Sequence, residues 1–221
     1  TTYGTGVNDI NREHIWAKSH GNFVDIRPMD SDVHNLHPAD ASVNTIRSNR
    51  DFDKVSPNGT EISEAPGTWY NSSAWEPADA AKGQVARAIL YMDVRYEGTD
   101  GEMDLTAVNG TGTYPKPEHG NLQTLLAWHK QFPPTDFERR RNERIFNMQL
   151  NRNPFVDHPE YADLIWGSSD VSSIQITGNS ITPSIPIEGN KLQLNVSVVS
   201  ANTVTSVVAY WGTTYNSNEK S

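Results

Sequence analysis

Asn11-Arg-Glu-His-Ile-Trp-Ala-Lys-Ser19 is followed closely by Asp32-Val-His-Asn-Leu-His-Pro38 and then by Ser42-Val-Asn-Thr-Ile-Arg-Ser-Asn49. The fold is read outward from these three stretches. Ile10–Trp16 is a short apolar segment carrying Glu13 and His14, and Val33–Leu36 is a second one. A helix is expected from Ala39 to about Arg50, with Asn44, Arg47 and Asn49 on it. Strand, strand, helix, bearing an acid, a histidine and an asparagine, suits hydrolysis of an anionic ester. A phosphodiester resists attack because it is already negative, and a divalent cation offsets that charge. A hard cation takes oxygen ligands and keeps several waters. The Glu13 carboxylate and the Asn44 amide oxygen meet that need. His14, with an ordinary pKa near 6.5, is the natural base for a water. A nearby guanidinium would grip the phosphate bidentately. One geometric tension remains. Neighbouring strand residues point to opposite faces, so Glu13 and His14 share a site only if the strand ends, twists or bulges there.

Composition excludes several classes. The 221 residues contain no cysteine, so disulfides, thiolate chemistry and cysteine-based zinc sites are ruled out. No run approaches the ~18–20 apolar residues of a membrane span. Mean hydropathy is −0.63, yet six Trp, eight Tyr and six Phe can fill a core. The net charge of −9 argues mildly against a nucleic-acid partner. That average hides a locally basic stretch, 115–152, with seven basic and four acidic side chains. The chain opens at Thr1 with neither an initiator Met nor a signal peptide, as expected of a processed product or a fragment.

Further helices are expected at Pro77 to about Tyr96, around Asn121–Gln131, and from about Thr135 to Leu150. In the first, Val85, Ile89, Met92 and Tyr96 recur at helical spacing, with Gly98 as a stop. In the last, Thr135 and Glu138 form a capping-box pattern, and Phe137, Ile145, Phe146 and Gln149 are expected to share a face. Gly98–Gly120 reads as irregular. Charge density drops near 167–169. Beyond it, Lys191–Val199 alternates with period two, Val204–Trp211 reads as another strand, and Ile181–Gly189 as an edge strand and turn. Three strands fall short of the roughly seven of an Ig-type sandwich.

The motifs together resemble the bacterial endonuclease I family. The resemblance rests on Asn-Arg-Glu-His-Ile-Trp-Ala-Lys-Ser-His-Gly from Asn11, Asp32-x-His-Asn-Leu-x-Pro38 and Val43-Asn-x-x-Arg-Ser-Asn49. It continues through Arg87-Ala-x-x-Tyr-Met92, Trp128-His129, Asp136, Glu138-Arg139, Arg141-Asn142 and Asn151-Arg-Asn-Pro-Phe-Val-Asp157. It covers about residues 11–166. It implies a mainly helical nuclease domain around a ββα-metal (His-Me finger) core, 1–168; with the strand pattern of the tail, read as an incomplete all-β Ig-like segment, 169–221, the expected fold class is α+β. It also implies a secreted, sequence-nonspecific endonuclease acting on DNA and possibly RNA, using Mg²⁺ (with Mn²⁺ or Ca²⁺ as substitutes) and leaving 5′-phosphates. His14 maps onto the general base, Glu13 and Asn44 onto the metal ligands, and Arg27, with Arg47 as its rival, onto the arginine that stabilises the cleaved phosphate. Only thirteen residues precede His14, where the family usually has a longer helical segment. The front of the domain is therefore expected to be missing, and the Ig-like module to be truncated.

Blander readings compete. His34 and His37 have a zinc-like spacing, but two histidines make a weak site. Asp32, His34 and Asn35 are better read as hydrogen-bonded supports of the site. Arg139, Arg141, Arg144 and Arg152 are candidates for tracking phosphates; a solvated helix face is the equal alternative. Trp69, Trp75, Trp128 and Trp166 read as core. Rival functions are an extracellular ribonuclease of the same fold and a noncatalytic surface- or matrix-binding protein with a degenerate nuclease unit.

Overall fold

The computed structural model describes residues 2–6 and 9–167, together with the strands Gln175–Thr182, Gln193–Val199, Tyr210–Trp211 and Glu219–Lys220. The chain divides into two compact units, Thr1–Trp166 and Gly167–Ser221. Among the described residues there are six α-helices and five small sheets, a mixed α/β arrangement. No helix there is long and apolar enough to cross a membrane.

The first unit starts with an antiparallel pair, β1 (Ile10–His14) and β2 (Leu36–Asp40), in which Glu13 faces His37 and His14 faces Leu36. Helix α1 (Ala41–Arg47) follows at once. It is shorter than expected at both ends. Ala39 and Asp40 complete β2, and Asp40 then caps α1, its carboxylate accepting from the Ser42 and Val43 amides at 2.9 and 3.1 Å. Ser48 ends the helix with φ +53°.

Short strands β3 (Asp51–Phe52), β4 (Thr60–Glu61), β5 (Trp69–Tyr70) and β6 (Ala74–Glu76) form one sheet in the order β3-β6-β5-β4. Helix α2 (Asp79–Arg95) runs through the core. Val85, Ile89, Met92 and Tyr96 are all buried, as their spacing predicts. The glycine-rich segment after it is less irregular than expected. It holds β7 (Thr106–Ala107) and β8 (Glu118–His119), a parallel pair. The Asp93 carboxylate pins β7 to α2 through the Ala107 amide at 2.6 Å.

Helices α3 (Leu122–Gln131), α4 (Asp136–Gln149), α5 (Pro154–Asp157) and α6 (Tyr161–Trp166) complete the unit. The Thr135 hydroxyl accepts from the Glu138 amide at 3.2 Å, the first half of a capping box. The Glu138 carboxylate does not reach back for the second half. It forms a bidentate pair with buried Arg87, at 2.5 and 2.7 Å. The expected apolar face of α4 is also narrower. Ile145 is buried, whereas Phe137 is 61% exposed and Phe146 39%. Trp75 and Trp128 are buried, while Trp69 and Trp166 are partly covered.

In the second unit, β9 (Gln175–Thr182) pairs antiparallel with β10 (Gln193–Val199), with a register shift between Asn195 and Ser197. β11 (Tyr210–Trp211) pairs with β12 (Glu219–Lys220). Residues 183–190 and 204–209, read above as edge-strand turn and strand, lie outside the described residues.

Candidate active site

Glu13 and His14 occupy the last two positions of β1. The strand stops there, which relieves the alternation that would send them to opposite faces. Both line one open cleft of about 470 Å³, together with Arg12, Lys18, Asn44 and Arg47.

His14 is held by one ring nitrogen. Its Nε2 lies 2.9 Å from the Asp30 carbonyl oxygen. A carbonyl only accepts, so Nε2 carries the hydrogen and Nδ1 keeps the lone pair of the neutral ring. The Asp30 carboxylate is 3.4 Å from Nε2 and is itself paired with Lys18 at 3.0 Å. Burial holds the His14 pKa below the ordinary histidine value, against the raising effect of the Asp30 carbonyl. Lys18 and Arg12 add to the depression and Asp30 opposes it.

The Glu13 carboxylate accepts from Arg47 through one oxygen. Burial raises its pKa above the ordinary range, against the pull of Arg47. Asn44 turns its amide nitrogen inward, donating to Asn11 Oδ1 at 2.7 Å and to the Arg12 carbonyl at 3.4 Å. That orientation leaves Oδ1 as the end available to the cleft. The lining therefore offers a carboxylate and an amide oxygen, hard donors suited to a small divalent cation.

The two arginines weighed for the phosphate are placed differently. Arg27 is exposed and is not part of the cleft lining. Arg47 is 3% exposed at the cleft floor. It donates to Glu13, to the His14 carbonyl at 2.9 Å and to the Ile15 carbonyl at 2.7 Å. Arg139, Arg144 and Arg152 are likewise not brought to the cleft, whereas Arg141 lines an adjoining pocket that Glu13, Asn44 and Arg47 also line. Arg139 donates to the Val156 carbonyl at 3.1 Å. Arg141 is half-buried and donates to the carbonyls of Val33 and Leu36, at 2.6 and 2.8 Å. Arg152 is ion-paired with Asp157 and Glu143, and Arg144 is exposed. Besides Arg47, the cations that line the cleft are Arg12 and Lys18, to which the sequence reading gave no role. Arg12 was legible, because residues i and i+2 of a strand share a face.

Asp32, His34 and Asn35 are buried supports. Asp32 accepts from Tyr91 and Tyr96 hydroxyls at 2.7 and 2.8 Å and from the His34 amide at 2.9 Å. His34 Nε2 lies 3.3 Å from the Asn151 carbonyl. Asn35 clamps the backbone just past His14. Its Oδ1 accepts from the Trp16 amide at 2.7 Å and its Nδ2 donates to the Trp16 carbonyl at 3.1 Å.

One further cluster lies behind the cleft. His20, Asp51 and His119 are buried with ligand atoms within 4.8 Å of one another, close enough to hold a metal ion. Each atom already has a partner. His20 faces the carbonyls of Glu118 and Asn49 at 2.6 and 2.7 Å. His119 Nε2 faces an Arg47 nitrogen at 3.2 Å, so a cation bound there would meet a guanidinium.

A strand pair followed by a helix thus presents oxygen donors and a free imidazole nitrogen to one cleft, and that defines the class of site. The chain belongs to the Endonuclease I family, whose profile matches residues 1–160. It is 52% identical over 164 residues to an extracellular ribonuclease of Bacillus subtilis (strain 168), a match covering 74% of this chain and 56% of the relative. It is 30% identical over 144 residues to an extracellular deoxyribonuclease of Aeromonas hydrophila, covering 63% and 55%. An Endonuclease-1 of Buchnera aphidicola subsp. Baizongia pistaciae is 28% identical over 131 residues, covering 58% and 46%. The chain spans about half the length of the curated relatives it matches.

Proposed function

We propose that this chain carries the nuclease unit of a secreted, sequence-nonspecific endonuclease. It would hydrolyse phosphodiester bonds of DNA and RNA and leave 5′-phosphates. The observation that carries the reading is the Asp30 carbonyl on His14 Nε2. It leaves Nδ1 as a free base beside two oxygen donors.

In this reading β1, β2 and α1 are the His-Me finger core. His14 Nδ1 takes a proton from a water in the cleft. That oxygen attacks phosphorus, and the 3′ oxygen leaves. The Asp30 carboxylate, 3.4 Å from Nε2, steadies the imidazolium so formed. The depressed His14 pKa keeps the ring neutral and ready near pH 7. Glu13 and Asn44 would hold Mg²⁺, with Mn²⁺ or Ca²⁺ as substitutes, which when bound supplies positive charge to the phosphate and the leaving oxygen. Arg12 and Lys18 hold the phosphate at the cleft, and exposed Arg139 and Arg144 guide the strand further out. Contacts to phosphate carry no sequence information, which accounts for nonspecificity. The relatives named as extracellular nucleases support secretion, and their two names support a site that accepts either sugar. Residues 169–221 are inferred to be part of an Ig-like module.

The test is cleavage of plasmid DNA and single-stranded RNA by the whole chain in Mg²⁺ and in EDTA, with end-group analysis. His14→Ala should lower the rate by roughly 10²–10⁴-fold with its circular dichroism unchanged. Full plasmid degradation by His14→Ala in Mg²⁺ overturns the mechanism. Absence of any Mg²⁺-dependent cleavage by the parent chain would favour a noncatalytic binding protein.

A further inference from the structure

We propose that His119 and Asp51 are positioning residues for the Glu13 carboxylate, acting through Arg47. The inference rests on the reading of Glu13 as a metal ligand.

The geometry forms a continuous chain. Arg47 only donates, so the His119 Nε2 that it meets at 3.2 Å must offer a lone pair. The ring hydrogen of neutral His119 is then on Nδ1, which faces the Gly120 carbonyl at 3.4 Å and has the Asp51 carboxylate 3.2 Å away. Burial, with His20 and Arg47 close by, keeps His119 neutral. Asp51 is 1% exposed and is fixed in turn. It accepts from the Gly120 amide and from the Thr113 amide and hydroxyl, each at 2.9 Å. The Asp51 carboxylate and the Gly120 carbonyl together therefore favour the His119 tautomer with its hydrogen on Nδ1, and that tautomer alone accepts from Arg47. The guanidinium stands 4.7 Å over the Phe52 ring. His119 and the Ile15 carbonyl, which accepts from the same Arg47 nitrogen at 2.7 Å, together stop it from turning in its plane, so its other nitrogen stays on Glu13. Asp51 lies 38 positions beyond Glu13, and His119 another 68.

This assignment also accounts for the buried His20–Asp51–His119 group without a metal. His20 stacks on His119 at 4.7 Å and holds the ring in place.

The experiment measures Mn²⁺ binding to the whole chain by electron paramagnetic resonance, without substrate. His119→Phe keeps the aromatic packing against Trp16 and Phe52, at 5.3 and 5.4 Å, and removes the acceptor. Asp51 retains its Gly120 and Thr113 donors in that variant. Mn²⁺ binding should weaken about 10–100-fold, the range for supports of metal ligands. His119→Gln, which can accept from Arg47 and donate to Asp51, should stay within about threefold of the parent. His119→Met is a second acceptor-free variant should the Phe variant not fold, and the same loss is expected of it. Parent-like Mn²⁺ binding by a folded acceptor-free variant, with Glu13→Gln weakened, overturns the relay. Stoichiometric metal in the purified parent that is lost from His119→Phe overturns it too, in favour of a metal site at the trio. Parent-like binding by Glu13→Gln, by contrast, removes the underlying reading of Glu13 and the proposal with it.

Discussion

Removing the Glu138 carboxylate should damage the first unit more than any surface change. Arg87 is 1% exposed and Glu138 5%. Arg87 meets both carboxylate oxygens and gives its remaining contact to the Phe132 carbonyl at 2.9 Å. Glu138→Ala leaves a buried guanidinium with that single acceptor. Breaking a buried pair on one side costs about 3–5 kcal/mol. For a unit of this size each kcal/mol moves Tm by roughly 2–4 °C, so a fall of roughly 6–20 °C is expected. Arg87→Met/Glu138→Leu removes both charges and should recover most of the loss. The exposed pair Arg152–Glu143 is the control; Glu143→Ala should cost less than about 1 kcal/mol. The assay is urea unfolding followed by circular dichroism at 222 nm, since the described helices all lie in the first unit. A Glu138→Ala loss below about 1 kcal/mol, or a double variant less stable than the single, would refute the reasoning.

Three other expectations follow from single contacts. Burial, with Asp104 nearby, pushes the Asp93 pKa up to about 6 despite the Ala107 amide. The folded state therefore holds the proton more tightly than the unfolded chain, whose value is near 4. Stability from this group is full below about pH 4 and is lost as pH rises through about 6. Asp93→Asn should flatten that slope and be the more stable form at pH 7, by about 1–3 kcal/mol in urea titrations at pH 4 and pH 7. Asn35→Leu strips both partners from the buried Trp16 peptide groups. It should cost about 2–5 kcal/mol and depress cleavage at saturating substrate, as read by unfolding and kinetics together. Asp40→Ala removes the cap of α1 and should cost about 0.5–2 kcal/mol. A loss of Mn²⁺ affinity should accompany it, because α1 carries Asn44.

What could be read from the residues was what local physics decides. Helical periodicity placed α2, α3 and α4 within one or two residues and the short runs placed β1 and the start of α1, but the second strand, expected at Val33–Leu36, forms at Leu36–Asp40 because residues 33–35 are a turn. That Glu13, His14 and Asn44 come together at one cleft was legible because their chemistry is specific and their spacing short. Arg47, Arg141 and Arg152 were not, since a guanidinium looks the same whether it faces water, a carbonyl or a carboxylate. Their partners are distant: Arg141 reaches back to Val33 and Leu36, and Arg47 reaches forward to His119. The same holds for Glu138, whose local capping role loses to the stronger demand of a buried Arg87. Phe137 and Phe146 show the limit of counting apolar residues on α4. A helix at the edge of a unit needs only a narrow covered stripe, and Ile145 supplies it.

Side chains grip the backbone at and just beyond the end of the strand pair that bears His14. Arg47 takes the carbonyls of His14 and Ile15, Arg141 those of Val33 and Leu36, and Asn35 both groups of Trp16. Such grips are blind to the identity of the gripped residue. Val33 and Leu36 can therefore be exchanged in a library with little effect on the hold, whereas Arg141 cannot. Mutational tolerance around this site should run opposite to intuition. The positions nearest the chemistry include permissive ones, and the intolerant ones include residues a hundred positions away.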